Sequence, residues 1–235
     1  MVNQAIIFPG QGSQTVGMLK DLAVKYPVIT EIFASVSDKL GFDYWQLAQD
    51  GPVDILNQTE YTQVVMLVAD VALYRVWQKF KQSARPKVMA GHSLGEYAAL
   101  VCAGAIDLLD AAELVRARGR LMQDTVPLGS GAMAAIIGLQ DAQVEDICQR
   151  ASTSDELVTP ANFNAIGQVV IAGNTQAVQR AIVLAEDMQA FLATVIPVSV
   201  PCHCPLLSEA ASKFTDVLQQ ANFVKPEVAV ISNVD

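Results

Sequence analysis

Two hydrophobic periods divide this chain. Ala5 to Phe8 is a short, continuous apolar run, the pattern of a strand buried on both faces. A glycine-rich turn follows it, Pro9-Gly10-Gln11-Gly12-Ser13-Gln14. A helical period then runs through Ala34 and again from Thr62 to Phe80. Val88 to Ala90 reads as a second strand, and further helices start at Leu94 and Leu108. Strands separated by helices predict an α/β architecture with a mostly parallel sheet.

The pattern changes near Thr125. Pro127, Gly129, Ser130 and Gly131 mark a linker. Beyond it the chain predicts strand Ala132–Gly138, helix Ala142–Ala151, strand Leu157–Phe163, strand Gln168–Ala172, helix Thr175–Gln189 and strand Ala193–Val198. The order β-α-β-β-α-β is the ferredoxin-like unit. It reads as a small subdomain, 126–196, inserted into a larger one made of 1–125 and 197–235, whose last strand is Glu227–Ser232.

Composition narrows the setting. Of the 235 residues 52% are apolar, ample for a buried core. A net charge of -9 argues against nonspecific binding to nucleic acid or to an anionic membrane. The four cysteines, Cys102, Cys148, Cys202 and Cys204, form no disulfide framework, which points to a reducing, cytoplasmic compartment. No basic region precedes a signal core at the N-terminus. The longest apolar stretch, Val64 to Trp77, carries Asp70 and Arg75 and so reads as a core helix rather than a membrane span.

Against that background Gly91-His92-Ser93-Leu94-Gly95, between a strand and a helix, has the form of a nucleophile elbow. Its turn would lift Ser93 Oγ clear of the sheet, near helical N–H groups able to hold an oxyanion. A serine needs a base. The only histidines are His92 and His203. His92 adjoins Ser93, and neighbouring side chains on an extended segment diverge, which leaves His203 in Val200-Pro201-Cys202-His203-Cys204-Pro205. Its structural alternative is an ordinary hydrogen-bonded histidine. A metal reading of Cys202-His203-Cys204 lacks a second ligand pair at zinc spacing.

The helix from Leu108 to Asp124 supplies a third candidate. At roughly 100° per residue, Ala111, Leu114, Val115, Leu121 and Met122 fall within roughly 60° of Arg118. Arg116 and Arg120 fall on the opposite face. Arg118 therefore sits in an apolar stripe, where a guanidinium must be paired. Its partner is either an internal carboxylate, which would make it structural, or a substrate carboxylate held as a bidentate pair.

These features together resemble the malonyl-CoA:acyl carrier protein transacylase family of bacterial fatty acid synthesis. The motifs that carry the resemblance are Phe8-Pro9-Gly10-Gln11-Gly12-Ser13-Gln14, Gly91-His92-Ser93-Leu94-Gly95-Glu96-Tyr97 and Arg118-Gly119 before Met122-Gln123. Further along are Gly131-Ala132-Met133-Ala134-Ala135, Asn162-Phe163-Asn164 leading into Gly167 to Gly173, and Val198 to Cys204. The resemblance implies that Ser93 is acylated with His203 as its base. It implies an oxyanion hole from the N–H groups of Gln11 and Leu94, and Arg118 on the malonyl carboxylate. His92, Gln63, Met122 and Asn162 would line the pocket. It implies an α/β-hydrolase-like core with a ferredoxin-like insert, no bound cofactor and no metal. Malonyl-CoA would be the substrate, and the phosphopantetheine thiol of acyl carrier protein the acceptor.

Two departures stand out. Gln63-Val64-Val65 replaces the family's Gln-Pro-Ala, a local change at a helix start. Family members also continue past the position of Asp235, so the resemblance implies a missing C-terminal part, including the carbonyl that orients the histidine. A serine esterase or thioesterase, and a non-catalytic carrier-protein-binding module, remain the alternatives. Lys79, Lys81, Arg85 and Lys87 form the one basic run, either a docking face for an acidic carrier or an ordinary solvated face.

Overall fold

In the computed structural model, which describes residues 4–80 and 85–234, the elements follow the two periods of the sequence. In chain order they are β1 (Ala5–Phe8), α1 (Lys20–Lys25), α2 (Val28–Leu40), α3 (Tyr44–Asp50), α4 (Val53–Leu56), α5 (Thr59–Phe80) and β2 (Val88–Gly91). Then come α6 (Gly95–Cys102), α7 (Leu108–Thr125), β3 (Gly131–Ile137), α8 (Asp141–Ala151), β4 (Val158–Ala165) and β5 (Gln168–Asn174). The last are α9 (Thr175–Asp187), β6 (Leu192–Ile196), a 3-10 turn (Pro205–Leu207), α10 (Ser208–Gln219) and β7 (Ala229–Ile231).

The chain divides into two compact units. The first runs up to Gly119 and resumes at Asp216; the second is Arg120–Thr215. The second is drawn wider than 126–196 because the end of α7 and the segment around His203 share its core. Met122 and Val126 pack there with Val200, Leu207 and Ala210.

In the first unit three parallel strands lie in the order β1-β2-β7. Helix α5 is the largest buried element, with Val64 to Ala72 almost wholly enclosed. β1 departs from its expected burial on both faces. Phe8 is buried, but the alternate positions Ala5 and Ile7 are exposed, Ile7 by 74%, so among the described residues one face of β1 is uncovered. Helices α3 and α4 were not anticipated. At seven and four residues they are too short to display a period. The readable signal for α3 was its N-cap, where Asp43 Oδ1 accepts the Gln46 N–H at 2.8 Å.

The second unit has an antiparallel sheet ordered β4-β5-β3-β6, with α8 and α9 between its strands in sequence. Alternation along the strands separates two faces. Ala134, Ile136, Val169 and Ile171 pack with Val144, Ile147, Val178 and Ala181 of the helices. Met133, Val170 and Ala172 point the other way, where Cys202, Cys204 and Leu206 cover them. The mostly parallel sheet therefore holds for the first unit alone. Among the described residues no helix is long and apolar enough to cross a membrane.

Candidate active site

Strand β2 ends at Gly91 and the chain reverses into α6 within four residues. The reversal needs Ser93 in the left-handed region, at φ 51°, which non-glycine residues seldom adopt. Two bonds within the turn hold it, Gly95 N–H to His92 O (2.9 Å) and Glu96 N–H to Ser93 O (3.1 Å), and His92 N–H donates to Phe8 O of β1 (2.9 Å). Both flanking glycines are steric requirements. A Cβ on Gly91 would collide with the Gly95 backbone, and one on Gly95 with Phe8 O and Pro9 O. The elbow of the sequence is thus a strained, closely packed turn with a half-buried serine at its tip.

Arg118 reaches this serine from α7. Its Nη2 donates to Ser93 Oγ at 3.4 Å, a long bond. The guanidinium is half-buried, and among the described residues no carboxylate forms an ion pair with it. The internal-carboxylate alternative for Arg118 thus has no partner there. Its helical neighbours are satisfied elsewhere. Arg116 donates to Leu40 O at 2.8 Å and pairs with Glu60 at 3.4 Å, and Arg120 pairs with Asp124 at 3.8 Å. Burial pushes the Tyr97 hydroxyl up in pKa, opposed by the nearby Arg118 charge, so Tyr97 is a neutral phenol beside the cation. Gly119 lets α7 approach α5, since a Cβ there would lie 2.7 Å from Glu60 Cα and from Thr59 O.

The loop after β1 is pinned by side-chain amides. Gln11 Nε2 donates to Thr59 Oγ1 at 3.0 Å, and Gln14 Nε2 to Asn57 Oδ1 at 2.8 Å. Gln11 is therefore held through its side chain, with its backbone in the turn. Leu94 is buried at the start of α6, Gln63 is fully buried in α5, and His92 is exposed with its ring over Gly10.

Asn233 was missed by the sequence reasoning. Its Oδ1 accepts the Ser93 N–H at 2.9 Å, and its Nδ2 donates to Gly91 O at 2.8 Å and to Glu96 Oε2. Its own N–H donates to Glu96 Oε2 at 3.1 Å. A usable signal existed, because sites in parallel sheets form beyond the carboxyl ends of strands and Asn233 follows β7.

The remaining candidates belong to the second unit. His203 is exposed and, like Ser93, has a left-handed backbone, φ 58°. Its neighbours anchor the loop: Cys202 N–H donates to Met133 Sδ at 3.3 Å, and Cys204 Sγ–H to Pro201 O at 3.2 Å. Burial pushes the Cys204 thiol up, which disfavours a metal-binding thiolate. Among the described residues no three His, Cys, Asp or Glu side chains cluster as a metal site. Met122 is buried, and Asn162 is half-buried on β4 between two register shifts. Of the basic run, Lys81 lies outside the described residues, and Arg85 pairs with Glu227 at 3.3 Å.

Comparison with known proteins finds relatives along the whole of this chain. The acyl transferase domain model matches residues 5–235. The malonyl CoA-acyl carrier protein transacylase of Escherichia coli K12 is 53% identical over all of this chain and 75% of its own length. The transacylase structure from Coxiella burnetii superposes with a TM-score of 0.96 at 48% identity, covering 99% of this chain and 73% of that one. A malonyl-transacylase solved in complex with a type II PKS acyl-carrier protein gives 0.95 at 49% identity, covering 100% and 75%. With a strained serine turn facing an arginine, and with this identity along its whole length, the chain belongs to the malonyl CoA-acyl carrier protein transacylase family of acyl transferase domains.

Proposed function

We propose that this chain transfers a malonyl group from coenzyme A to the phosphopantetheine thiol of acyl carrier protein, by way of an ester on Ser93. The observation that carries the reading is the Arg118 guanidinium 3.4 Å from Ser93 Oγ, a cation with no carboxylate of its own among the described residues. A serine hydrolase acting on neutral esters has no use for such a group. An acyl chain that ends in a carboxylate does.

In the first half-reaction Ser93 Oγ attacks the thioester carbonyl while His203 takes its proton. The N–H groups of Gln11 and Leu94 receive the negative charge on the carbonyl oxygen. The C–S bond breaks, His203 protonates the departing coenzyme A thiolate, and malonyl remains as an ester. The carrier thiol then attacks that ester, giving its proton to His203, and Ser93 leaves with the proton returned. Arg118 holds the malonyl carboxylate in both steps. His92, Gln63, Met122 and Asn162 shape the pocket. No cofactor or metal takes part.

The reading extends to architecture and setting. The larger part, 1–125 and 197–235, is an α/β-hydrolase-like core, and 126–196 is a ferredoxin-like insert; the strand order β4-β5-β3-β6 supports the latter. Four free cysteines support a cytoplasmic site of action. The names of the relatives and the carrier-protein complex of one of them support malonyl as cargo and carrier protein as partner.

Acceptor choice is the test. Malonyl-enzyme mixed with phosphopantetheinylated carrier protein is expected to yield malonyl-carrier much faster than free malonate. Release of malonate at the same rate with and without carrier protein would make the chain a thioesterase.

A further inference from the structure

We infer that Asn233, oriented by Glu96, is a positioning residue for the nucleophile: it holds the Ser93 peptide in the left-handed turn that aims Oγ. The inference rests on Ser93 being the acylated residue.

A serine at φ 51° returns to the ordinary regions unless its surroundings hold it. The bonds of the turn itself engage the carbonyls of His92 and Ser93. The Ser93 N–H lies on the peptide plane whose rotation defines that φ, and it is held from outside the turn by Asn233 Oδ1 at 2.9 Å. The same amide donates to Gly91 O at 2.8 Å, which ties the end of β2 to the serine. Glu96, one turn into α6, accepts from both the side-chain and the main-chain N–H of Asn233. A carboxylate only accepts, so it dictates which face of the amide presents nitrogen and leaves Oδ1 toward Ser93.

The residue types follow from this pattern. One side chain must accept from Ser93 and donate to Gly91 O and Glu96, and an amide does both. Aspartate lacks the donor and would face Glu96 with like charge. With Ser93 O already accepting from the Glu96 N–H at 3.1 Å, holding the Ser93 N–H sets the backbone on both sides of Ser93 Cα, and with it the direction of the Leu94 N–H. Loss of the clamp therefore acts on the chemical step more than on substrate binding.

The test is rapid-mix acylation of the full chain by malonyl-CoA, read by intact mass. Asn233→Ala is expected to lower the acylation rate constant about 100-fold, the cost of a small misplacement of reacting atoms. The concentration of malonyl-CoA giving half the maximal rate should barely move. Asn233→Asp should be as slow. Adding Glu96→Gln to Asn233→Asp supplies an amide donor to the introduced carboxylate and should recover roughly tenfold, as directly coupled neighbours do. A residue acting only on stability would show no such recovery, and if Asn233→Ala fails to fold, the Asn233→Asp pair still decides. Acylation of Asn233→Ala at the wild-type rate, or no recovery in the double variant, overturns the clamp while leaving Ser93 as nucleophile. Label that survives Ser93→Ala overturns both.

Discussion

Arg118 carries the specificity argument at the scale of single residues. In the proposed reading, the guanidinium beside Ser93 Oγ, without an ion pair among the described residues, holds the carboxylate of an anionic acyl tail and does nothing for a neutral one. Arg118→Ala should therefore cost two to three orders of magnitude in kcat/KM with malonyl-CoA, the size expected for a hydrogen-bonded, desolvated charge pair. Acetyl-CoA has no carboxylate, so its slow reaction should change little. Equal losses with the two thioesters would make the arginine structural. Arg118 was legible in the sequence because a charge in an apolar stripe conflicts with its surroundings. Ser93 was legible because its two glycines are dictated by backbone contacts that no other residue permits. Asn233 was not, since a polar residue after a strand is commonplace and its partners are far away in sequence.

At the scale of elements, α5 presents an unresolved conflict. Its buried face includes Asp70, only 4% exposed, whose Oδ2 has no hydrogen-bond partner among the described residues. Burial pushes that carboxyl up to about 7. The folded chain thus binds the proton more tightly than the unfolded one, where the pKa is the ordinary value near 4. Stability from this group falls as pH rises from about 4 to about 7 and then levels off, by up to about 4 kcal/mol. Asp70→Asn should flatten that slope and raise Tm at pH 8 by roughly 2–8 °C, measured by thermal melts across the pH range. A variant melting curve that keeps the wild-type pH slope would contradict the assignment. Longer elements such as α5, and the strands of the second unit, were readable because their periods extend over enough residues. The exposed face of β1 was not, because an apolar run of four residues does not reveal what covers each face of the strand.

At the scale of the molecule the sequence divides where its hydrophobic period changes, and the β-α-β-β-α-β order of the second half appears in the structure within a few residues of its expected bounds. The boundary itself was less legible, because Met122 and Val200 lie far apart in sequence yet share one small core. The candidate site residues are likewise spread along the chain: Ser93 and Arg118 belong to the first unit and His203 to the second. The account's central claim is that Ser93 becomes covalently malonylated. Intact mass of the protein after exposure to malonyl-CoA, followed by peptide mapping, tests it most directly. The account predicts one malonyl group per chain, on the peptide containing Ser93, absent in Ser93→Ala and slow to form in His203→Ala. A wild-type protein that takes up no malonyl, or a Ser93→Ala protein that still does, would contradict it.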